Sequence, residues 1–297
     1  GNPTRIPMDH GGYFDIAPLD KAENIRREIC FAMEDMGLRP QHSHHESGFG
    51  QNEVDFMYST ALKSADNLNT FKSTVKAIAD RNGLFASFMP KPMQDQAGSG
   101  MHVNISLARG GRNIFAPGAD GAYSPAMRSF IAGVLARAGE ICAFTNPVPG
   151  SYARFGSFEA PRYVAWSHQN RSQLIRIPAA PAPEYARIEV RMPDVSCNPY
   201  LAFALLLAAG FEGMERKLEL AEETPYDLYT ANAGALEALP ASLEEAIARA
   251  GGSAFVEKVL SADTARKYLA LKQAEQNRWF AARDKEKYQD EAYFGVL

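Results

Sequence analysis

Apolar residues recur every three to four positions in several segments, which is the spacing that buries one face of an α-helix. The first such stripe contains Ile25, Ile29 and Met33. Ahead of it, Asp20 and Glu23 have the spacing of a capping box, in which two side chains bond the free N–H groups of a helix start. In chain order, the predicted helices cover about 20–36 before Gly37, 60–81 before Gly83, a buried apolar helix that begins at Asn198-Pro199, and 242–283 with a break at Gly251-Gly252.

Shorter strand-like segments lie between these helices, at 85–89, 101–107, 174–177 and 187–192. The stretch 146–173 is rich in Pro, Gly, Ser and aromatic residues and is predicted to be irregular, and long loops of this kind often carry function. Helices and strands are mixed without the glycine-rich βα turns of a doubly wound sheet. We therefore predict a fold of the α+β class.

Composition excludes several other classes of protein. The chain has 297 residues, 46% of them hydrophobic, and a formal net charge of −4. No apolar run approaches the roughly 20 residues of a membrane span, no signal peptide opens the chain, and Lys and Arg form no blocks. These features argue against a membrane or a nucleic acid as the partner. Three widely spaced cysteines, Cys30, Cys142 and Cys197, predict reduced thiols in a cytoplasmic protein.

The densest group of polar residues is His44-His45-Glu46, with Glu53 close behind it. An odd separation would put Glu46 and Glu53 on opposite faces of a continuous strand. The glycines between them allow a turn or bulge through which the two carboxylates converge. The segment is therefore either a divalent-metal site or a polar surface loop, and the spacing alone leaves both interpretations open.

Alternation of polar and apolar residues marks the segment that follows the glycine-rich run at 98–100. His102, Asn104 and Ser106 form one row of a predicted strand, and apolar residues form the other row, which packs on the core. The polar row could face solvent. However, His, Asn and Ser make an unusual solvent face, and the preceding glycines let a ligand approach the backbone closely.

Arg187, Glu189 and Arg191 share one face of another predicted strand. The two arginines could simply neutralise Glu189, or they could bind a phosphate or carboxylate while Glu189 holds a metal. One histidine among several carboxylates suggests Mg²⁺ or Mn²⁺ rather than zinc. Three more arginines lie just upstream, at Arg154, Arg171 and Arg176.

Taken together and in this order, these segments resemble the catalytic domain of glutamine synthetase, of the bacterial type I kind. The likeness extends over essentially the whole chain, so we treat 1–297 as one such domain. The matching segments are His44-His45-Glu46 with Gly50-Gln51-Asn52-Glu53, Phe88-Met89-Pro90-Lys91-Pro92, Gly98-Ser99-Gly100-Met101-His102, Ser151-Tyr152-Ala153-Arg154, Glu159-Ala160-Pro161, Asn170-Arg171-Ser172, Arg187-Ile188-Glu189-Val190-Arg191 and Asn198-Pro199-Tyr200-Leu201.

The resemblance implies ATP-dependent ligation of ammonia to glutamate through a γ-glutamyl phosphate, with ATP as co-substrate and two or more divalent ions, Mg²⁺ or Mn²⁺, at each site. It also implies an antiparallel sheet that forms part of an active-site barrel and is backed by helices. By the same likeness, Glu46 and Glu53 would hold one ion, and His102 and Glu189 would hold the other.

The other site residues are also implied by the resemblance, and they divide between the transferring group, the nucleotide, glutamate and ammonium. The assignments are Arg171 for the transferring group; Arg176, Arg187, Asn104 and Ser106 for the nucleotide; Arg154, Arg191 and the backbone of Gly98 for glutamate; Glu159 as the base on a mobile loop; and Tyr13 for the ammonium pocket.

Three positions depart from the family pattern. Ala97 stands where the family usually has Asn, Asn104 where many bacterial members have a second His, and Gly150 where Asn usually precedes Ser-Tyr. These differences bear on specificity for the acid and the amine. Tyr229 lies where some bacterial relatives are adenylylated, which would make it a regulatory position.

Family members carry a β-grasp domain and a strand with two further metal-binding glutamates ahead of the segment that begins here. They assemble into rings, double hexameric in bacterial members, with the site at each subunit boundary. We therefore expect the sequence to be the C-terminal part of a longer, homo-oligomeric product and to be inactive or crippled alone.

Two alternatives accompany this interpretation. The chain could be a γ-glutamyl ligase for a polyamine or another amine on the same scaffold, from which only the amine pocket separates it. It could also be a non-catalytic relative kept for assembly. Against the second alternative, a scaffold has no chemical need for the complete set Glu46, Glu53, His102, Glu189, Arg171 and Glu159.

Overall fold

The computed structural model describes residues 4–231 and 233–297, and the chain forms two compact units. Unit 1 extends to Ser99 and includes Glu286–Leu297, and unit 2 is Gly100–Lys285. Helices and sheets are mixed, which confirms the α+β prediction. Within the described part of the chain, no helix combines the length and apolarity needed to cross a bilayer. The elements are α1 (Glu23–Asp35), β1 (Pro40–His45), β2 (Asn52–Phe56), α2 (Ala61–Arg81), β3 (Val103–Ile105), β4 (Ala108–Arg109), β5 (Arg112–Asn113), α3 (Pro125–Thr145), β6 (Trp166–His168), β7 (Ile175–Ile177), β8 (Ile188–Val190), α4 (Pro199–Glu215), α5 (Leu243–Ala250), α6 (Ala254–Leu260), α7 (Ala262–Ala281) and α8 (Lys285–Gln289).

Unit 1 consists mainly of α1, α2 and the antiparallel hairpin of β1 and β2. Ile29 and Met33 from the predicted stripe are buried together with Leu38 and Ile78, so the stripe forms the core of this unit. Gly37 has a φ of 78°, the left-handed conformation that ends α1 as predicted. Helix α2 keeps its predicted bounds to within one residue.

The predicted capping box at the start of α1 is wrong. The N-cap is Ala22, which makes no side-chain cap bond. Asp20 is buried and accepts the N–H of Ala22 at 2.8 Å, and both of its oxygens accept from the guanidinium of Arg26. Because Arg26 is also buried, Asp20 supplies the charge partner that a buried guanidinium needs.

Three of the four predicted strands are confirmed as the cores of β3, β7 and β8, but the strand predicted at 85–89 is wrong. In that segment Phe88 donates its N–H to the carbonyl of Leu297 at 3.1 Å, and Met89 is buried. The apolar pattern there reflects packing of an extended segment against the chain end, without a strand ladder. Conversely, β6 lies inside the stretch predicted to be irregular.

Helix α3 has no predicted counterpart, although it is the longest helix of unit 2. Its buried residues include the consecutive Phe130, Ile131, Ala132, Gly133 and Val134, which point in several directions around the helix axis. A helix that is buried on most of its circumference has no polar face, so the helical period is hidden in the sequence.

The sheet of unit 2 has the order β3-β8-β7-β6. Strand β8 pairs antiparallel with both β3 and β7, whereas β6 and β7 are parallel. The antiparallel arrangement implied by the resemblance thus holds for three of the four strands. Among the described residues, the strands close no barrel.

The register of this sheet aligns four polar residues in one row. Asn104 lies opposite Glu189, Glu189 opposite Arg176, and Arg176 opposite Ser167. Directly opposed residues point to the same face of a sheet. The next row, which includes Val190 and Ile175, points to the other face and enters the core. The sheet therefore presents one polar row of charged and amide groups, as the alternation in the sequence predicts.

Helices α3 and α4 pack together through glycines. A Cβ atom added at Gly133 would lie against the carbonyl oxygen of Ala209 and 2.8 Å from the Cα of Gly213. The N-cap Asn198 and the N1 Pro199 start α4 as predicted, since the Asn198 side chain accepts the N–H groups of Tyr200 and Leu201.

We expect Gly133→Ala to destabilise the protein by about 1 to 3 kcal/mol, because the methyl group forces the two helix backbones apart. This strain exceeds the roughly 1 kcal/mol that Ala gains over Gly in a helix. The free energy of unfolding from urea titration measures it. Gly252→Ala is the matched control, since its added Cβ meets nothing within 4 Å. Equal stability of Gly133→Ala and the wild type would show that the helices separate without strain.

Arg137 on α3 is held by two carboxylates. Its Nε and Nη2 atoms each donate to Glu212 of α4 at 2.8 Å, and Nη1 donates to Glu140 at 2.6 Å. The guanidinium also lies 4.9 Å from the ring centroid of Phe255 on α6. The hydrogen bond from Arg137 is the main cause that lowers the pKa of Glu212 to about 2. This arginine therefore links three helices through one charged group.

The Glu212 pKa gives a pH dependence of known sign. Because the pKa in the folded chain lies below the ordinary 4.5, the stabilisation is complete above pH 4.5 and is lost as the pH falls towards 2. We expect Glu212→Gln to lower stability at pH 7 by about 1 kcal/mol and to flatten the stability curve between pH 4.5 and 2. Urea titrations across that range measure it, with the exposed Glu222→Gln as control. A Glu212→Gln curve parallel to that of the wild type contradicts the assignment.

Candidate functional site

In unit 1, the turn between β1 and β2 brings two of the predicted metal ligands together. His44 pairs with Glu53 across the hairpin, and the N–H of Glu46 donates to the carbonyl of Gln51 at 2.8 Å. One ligand atom from each of His44, Glu46 and Glu53 lies within 4.8 Å of the others. The turn that the glycines allow is therefore formed, with Gly50 at a φ of 61°.

A buried carboxylate that the sequence did not indicate holds this turn. Asp9 accepts N–H groups from Gly50 at 3.1 Å and Lys21 at 3.0 Å, and its Oδ1 lies 2.8 Å from Nε2 of His45. Burial alone would raise the pKa of Asp9, but the hydrogen bonds from Lys21 and His45 outweigh it and lower the pKa. Nδ1 of His45 lies 2.6 Å from the carbonyl oxygen of Glu46, so the chain Asp9–His45 fixes the segment that carries Glu46.

His44 is packed between aromatic rings. It stacks on Phe14 with ring centroids 4.3 Å apart, and Tyr13 meets it edge-on at 5.6 Å. Burial is the main cause that lowers the pKa of His44. The structure thus places the predicted ammonium-pocket residue Tyr13 against His44, with about half of Tyr13 exposed.

Gly98 is tied to the same turn of unit 1. Nε2 of Gln51 donates to the carbonyl of Gly98 at 3.1 Å and to the Ser99 hydroxyl at 3.3 Å. The side-chain oxygen of Gln51, Oε1, accepts a hydrogen bond from the N–H of Gly48 at 2.8 Å. One glutamine side chain therefore fixes the backbone at Gly98 relative to the turn between β1 and β2.

In unit 2, Glu189 is buried in the polar row of the sheet and shared by two arginines. Nη1 of Arg191 donates to Oε1 at 3.0 Å, and Nε of Arg176 donates to Oε2. Burial opposes ionisation of Glu189, but Arg176 and Arg191 lower its pKa to about 2. Of the flanking arginine pair considered from the sequence, only Arg191 contacts Glu189; Arg187 donates to Oδ1 of Asn104 at 3.2 Å.

His102 lies beside this carboxylate, with Nδ1 3.6 Å from Oε1 of Glu189. Desolvation of the ring is the main cause that lowers the pKa of His102 to about 3, with Arg191 and Arg154 adding to it and Glu189 opposing it. At neutral pH the imidazole is therefore neutral and the Glu189 carboxylate is charged. These are the protonation states in which both groups bind metal.

Gly100 makes room for two of these side chains. A Cβ atom at this position would lie 2.8 Å from Nε2 of His102 and 2.9 Å from Nη2 of Arg154. Arg154 is buried, donates to the carbonyl of Met192 at 3.3 Å, and lies 3.9 Å from Oδ2 of Asp194. Asp194, a fully buried residue to which the sequence assigned no role, is the charge partner that keeps Arg154 in place.

The loop that carries Glu159 is held in an unusual conformation. Phe158 and Glu159 have φ values of 46° and 63°, which are left-handed. Arg191 donates from Nη2 to the carbonyl of Glu159 at 3.0 Å and from Nε to that of Arg171 at 3.1 Å. The Tyr229 hydroxyl donates to the carbonyl of Ala160 at 3.2 Å.

The side chains of Glu159 and Arg171 pair with each other. Nη1 of Arg171 donates to both Glu159 oxygens, at 3.1 and 3.0 Å, and each side chain is more than two fifths exposed. The structure therefore brings the predicted base and the predicted phosphoryl-binding arginine into one accessible ion pair.

The donor sets of both units suit a hard divalent cation. Each set combines carboxylate oxygen with imidazole nitrogen, and the hydrogen-bond capacity of the His44 ring is unused by the described residues. Ser106, the remaining predicted nucleotide residue, is exposed just beyond the end of β3. Sequence reasoning missed Asp9, Asp194 and His44 as site components, and only the His44-His45 pair gave a signal.

Comparison with known proteins identifies the family of this chain. Residues 2–290 match the family model described as "Glutamine synthetase, catalytic domain". Glutamine synthetase of Methanosarcina mazei is 45% identical over 95% of this chain and 64% of its own length, and that of Methanocaldococcus jannaschii is 42% identical over 92% and 62%. The chain thus spans less than two thirds of the length of these curated relatives.

Solved structures match this chain in fold. A GmaS/ADP complex matches with a TM-score of 0.85 at 29% identity, over 96% of this chain and 67% of that chain. The glutamine synthetase of Plasmodium falciparum matches with a TM-score of 0.83 at 26% identity, over 96% and 64%. The chain therefore belongs to the glutamine synthetase family.

Proposed function

We propose that this chain is the catalytic part of an enzyme that ligates ammonia to L-glutamate with ATP, giving glutamine, ADP and phosphate through γ-glutamyl phosphate. The observation that carries the proposal is the group formed by Glu189, His102, Arg176 and Arg191, in which a charged carboxylate and a neutral imidazole adjoin two guanidinium groups. A family member with this group has the parts that phosphoryl transfer needs. We propose that both units, over 1–297, make up one catalytic domain.

Two divalent cations fit the donor sets, and we assign them as the sequence suggested. Glu46 and Glu53 would hold one in unit 1, and His102 and Glu189 would hold the other in unit 2. When bound, such ions neutralise the charge of the transferring phosphoryl group. Carboxylate ligands accept either Mg²⁺ or Mn²⁺.

The arginines of unit 2 would bind the anionic groups of the substrates. Arg176 and Arg187 would contact nucleotide phosphate, with Asn104 and Ser106 beside the nucleotide, and the structural relative solved with ADP supports a nucleotide site. Arg154, with its Nε unpartnered within the described residues, would hold a glutamate carboxylate. Arg191, through its charge, and the backbone at Gly98 would also bind glutamate.

Glu159 and Arg171 would act in the transfer itself. Ammonium must lose a proton before its nitrogen can attack the acyl phosphate, and Glu159 is the accessible carboxylate that would accept it, with Tyr13 lining the ammonium pocket. Arg171 would stabilise the phosphoryl group. Since Arg171 now donates to Glu159, a phosphoryl group that takes over Arg171 would free the Glu159 carboxylate.

Assembly and location are proposed from the family and from the cysteines. We propose a ring-shaped homo-oligomer, dodecameric as in full-length bacterial members, because the relatives belong to that family. A cytoplasmic location fits the three free cysteines.

The proposed reaction is tested by measuring phosphate release from ATP with glutamate, Mg²⁺ or Mn²⁺ and an amine, on the longest product of the gene. We expect release with ammonium, and Glu189→Ala should abolish the metal-dependent turnover because it removes a ligand and leaves Arg176 and Arg191 uncompensated. Release only with a polyamine or another amine would instead make the protein a different γ-glutamyl ligase. If a folded full-length protein released no phosphate with any amine, it would be a non-catalytic relative.

The proton-accepting role of Glu159 is tested by changing the nucleophile. Glu159→Gln should lower turnover with ammonium by about 10² to 10⁴-fold at pH 7, because the positioned base is lost. Hydroxylamine is already neutral at pH 7, so formation of the hydroxamate should fall much less. The exposed Glu184→Gln is the matched control and should affect neither. Equal losses with both nucleophiles would mean that Glu159 binds or shapes the loop and accepts no proton.

A further inference from the structure

The Tyr229 hydroxyl makes a long-range contact with the loop that carries Glu159. It donates to the carbonyl of Ala160 at 3.2 Å, although the two residues are 69 positions apart in the chain. Burial is the main cause that raises the pKa of Tyr229 above the ordinary value for a phenol. The hydroxyl therefore keeps its proton at neutral and mildly alkaline pH, and it can donate to the loop throughout that range.

The contacted carbonyl lies at the point where the loop closes on itself. The N–H of Gly156 donates to the same oxygen at 3.1 Å, and the N–H of Ala160 donates to the carbonyl of Ser157 at 3.0 Å. Glu159 lies within this closed loop, directly before Ala160, and its φ of 63° is left-handed. A residue strained in this way keeps its conformation only while the surrounding contacts hold it.

Two side chains from outside the loop bond its main chain. Nη2 of Arg191 donates to the carbonyl of Glu159 at 3.0 Å, and Tyr229 donates to the next carbonyl, that of Ala160. Arg191 is itself fixed, since its Nε donates to the carbonyl of Arg171 at 3.1 Å. Because the two bonded carbonyls are adjacent, together they set the direction in which the Glu159 side chain leaves the loop.

The backbone next to Tyr229 is fastened to the two residues that follow Arg171. The fully buried Gln173 donates from Nε2 to two main-chain carbonyls of the segment 224–226, at 2.7 and 2.9 Å. The Ser172 hydroxyl accepts the N–H of the residue before Tyr229 at 2.9 Å. Through Tyr229, the loop that contains the proposed base is therefore connected to the backbone at Arg171.

We propose that Tyr229 is a positioning residue, whose hydroxyl holds the loop so that the Glu159 carboxylate lies where it can accept a proton from ammonium. The inference rests on the proposed function, in which Glu159 is the base. Tyr229 acts through the main chain, because its bond is to the carbonyl of Ala160. Its removal should therefore affect the step that uses Glu159 and leave the binding of ATP and glutamate intact.

The test is Tyr229→Phe in the longest product of the gene, a change that removes the hydroxyl and keeps the ring. Turnover with ammonium at pH 7 should fall about 3- to 10-fold, the change in population that loss of one neutral hydrogen bond causes. Hydroxamate formation should fall much less, because hydroxylamine is already neutral at this pH. The KM values for ATP and glutamate should stay nearly unchanged, because Arg154 and Arg191 keep bonds that do not involve the loop.

The Glu159→Gln background separates positioning from a general structural role. If Tyr229 acts through Glu159, Tyr229→Phe should cause no further loss in that background, because the base that it positions is absent. A protein that is merely less stable would lose turnover with both nucleophiles and would lose it again in the Glu159→Gln background. Tyr226→Phe is the matched control, since 47% of Tyr226 is exposed on the same segment, and it should behave as the wild type does.

Amide hydrogen exchange gives a second readout that does not depend on turnover. The N–H groups of Gly156 and Ala160 are bonded within the loop. In Tyr229→Phe they should exchange about 3- to 10-fold faster, because the same lost bond favours opening of the loop. Exchange equal to that of the wild type would overturn the proposal, and so would equal losses with both nucleophiles or a full further loss in the Glu159→Gln background.

The outcomes for the reaction and for Tyr229 are distinguishable. An enzyme that makes glutamine and in which Glu159→Gln loses ammonium turnover selectively, while Tyr229→Phe behaves as the wild type, would refute the role of Tyr229 and keep the proposed function. Faster exchange in Tyr229→Phe, in a protein that turns over no amine, would support the hold of Tyr229 on the loop and refute the proposed reaction.

Discussion

The structure of unit 2 depends on one buried negative charge, the carboxylate of Glu189. A carboxylate in the middle of a buried strand is stable only if cations neutralise it, and Arg176 and Arg191 do so from either side. Neutralising Glu189 also affects its surroundings, because Arg191 donates from its other nitrogens to the carbonyls of Glu159 and Arg171. The position of the loop at Glu159 is thus a consequence of neutralising Glu189.

Unit 1 uses the same device with a different carboxylate. Asp9 is buried, gathers backbone N–H groups and His45, and so fixes the turn between β1 and β2. In each unit, one buried acid satisfied by the protein holds the backbone, while other polar groups stay available.

The sequence predicts the elements in which polar and apolar residues alternate with the helical or strand period. It does not predict elements that are buried on most sides, because their residues are apolar throughout. Helices α1, α2 and α4 were predictable from stripes and caps, and β3 and β8 from alternation. Helix α3 was not, because burial on most of its circumference removes the period. Motif order named Glu46, Glu53, His102 and Glu189, which are proposed here as metal ligands, but it gave no role to Asp9 or Asp194. Their charged or ionisable partners, His45 and Arg154, are distant in sequence, so no local pattern marks these pairings.

The loop at Glu159 breaks local rules, and its contacts explain why it persists. Two consecutive non-glycine residues with positive φ cost about 1 to 3 kcal/mol each, so the conformation needs support from elsewhere. Arg191 and Tyr229 provide that support through the carbonyls of Glu159 and Ala160. The main chain is therefore held from the interior. The Glu159 side chain accepts hydrogen bonds from the exposed Arg171, and Nη2 of the buried Arg191 lies 3.8 Å from its Oε2. An exposed ion pair is worth at most about 1 kcal/mol, so an anion at Arg171 can displace the Glu159 carboxylate without disturbing the backbone beneath it. A rigid main chain with a weakly held side chain would suit the proton-accepting role proposed for Glu159.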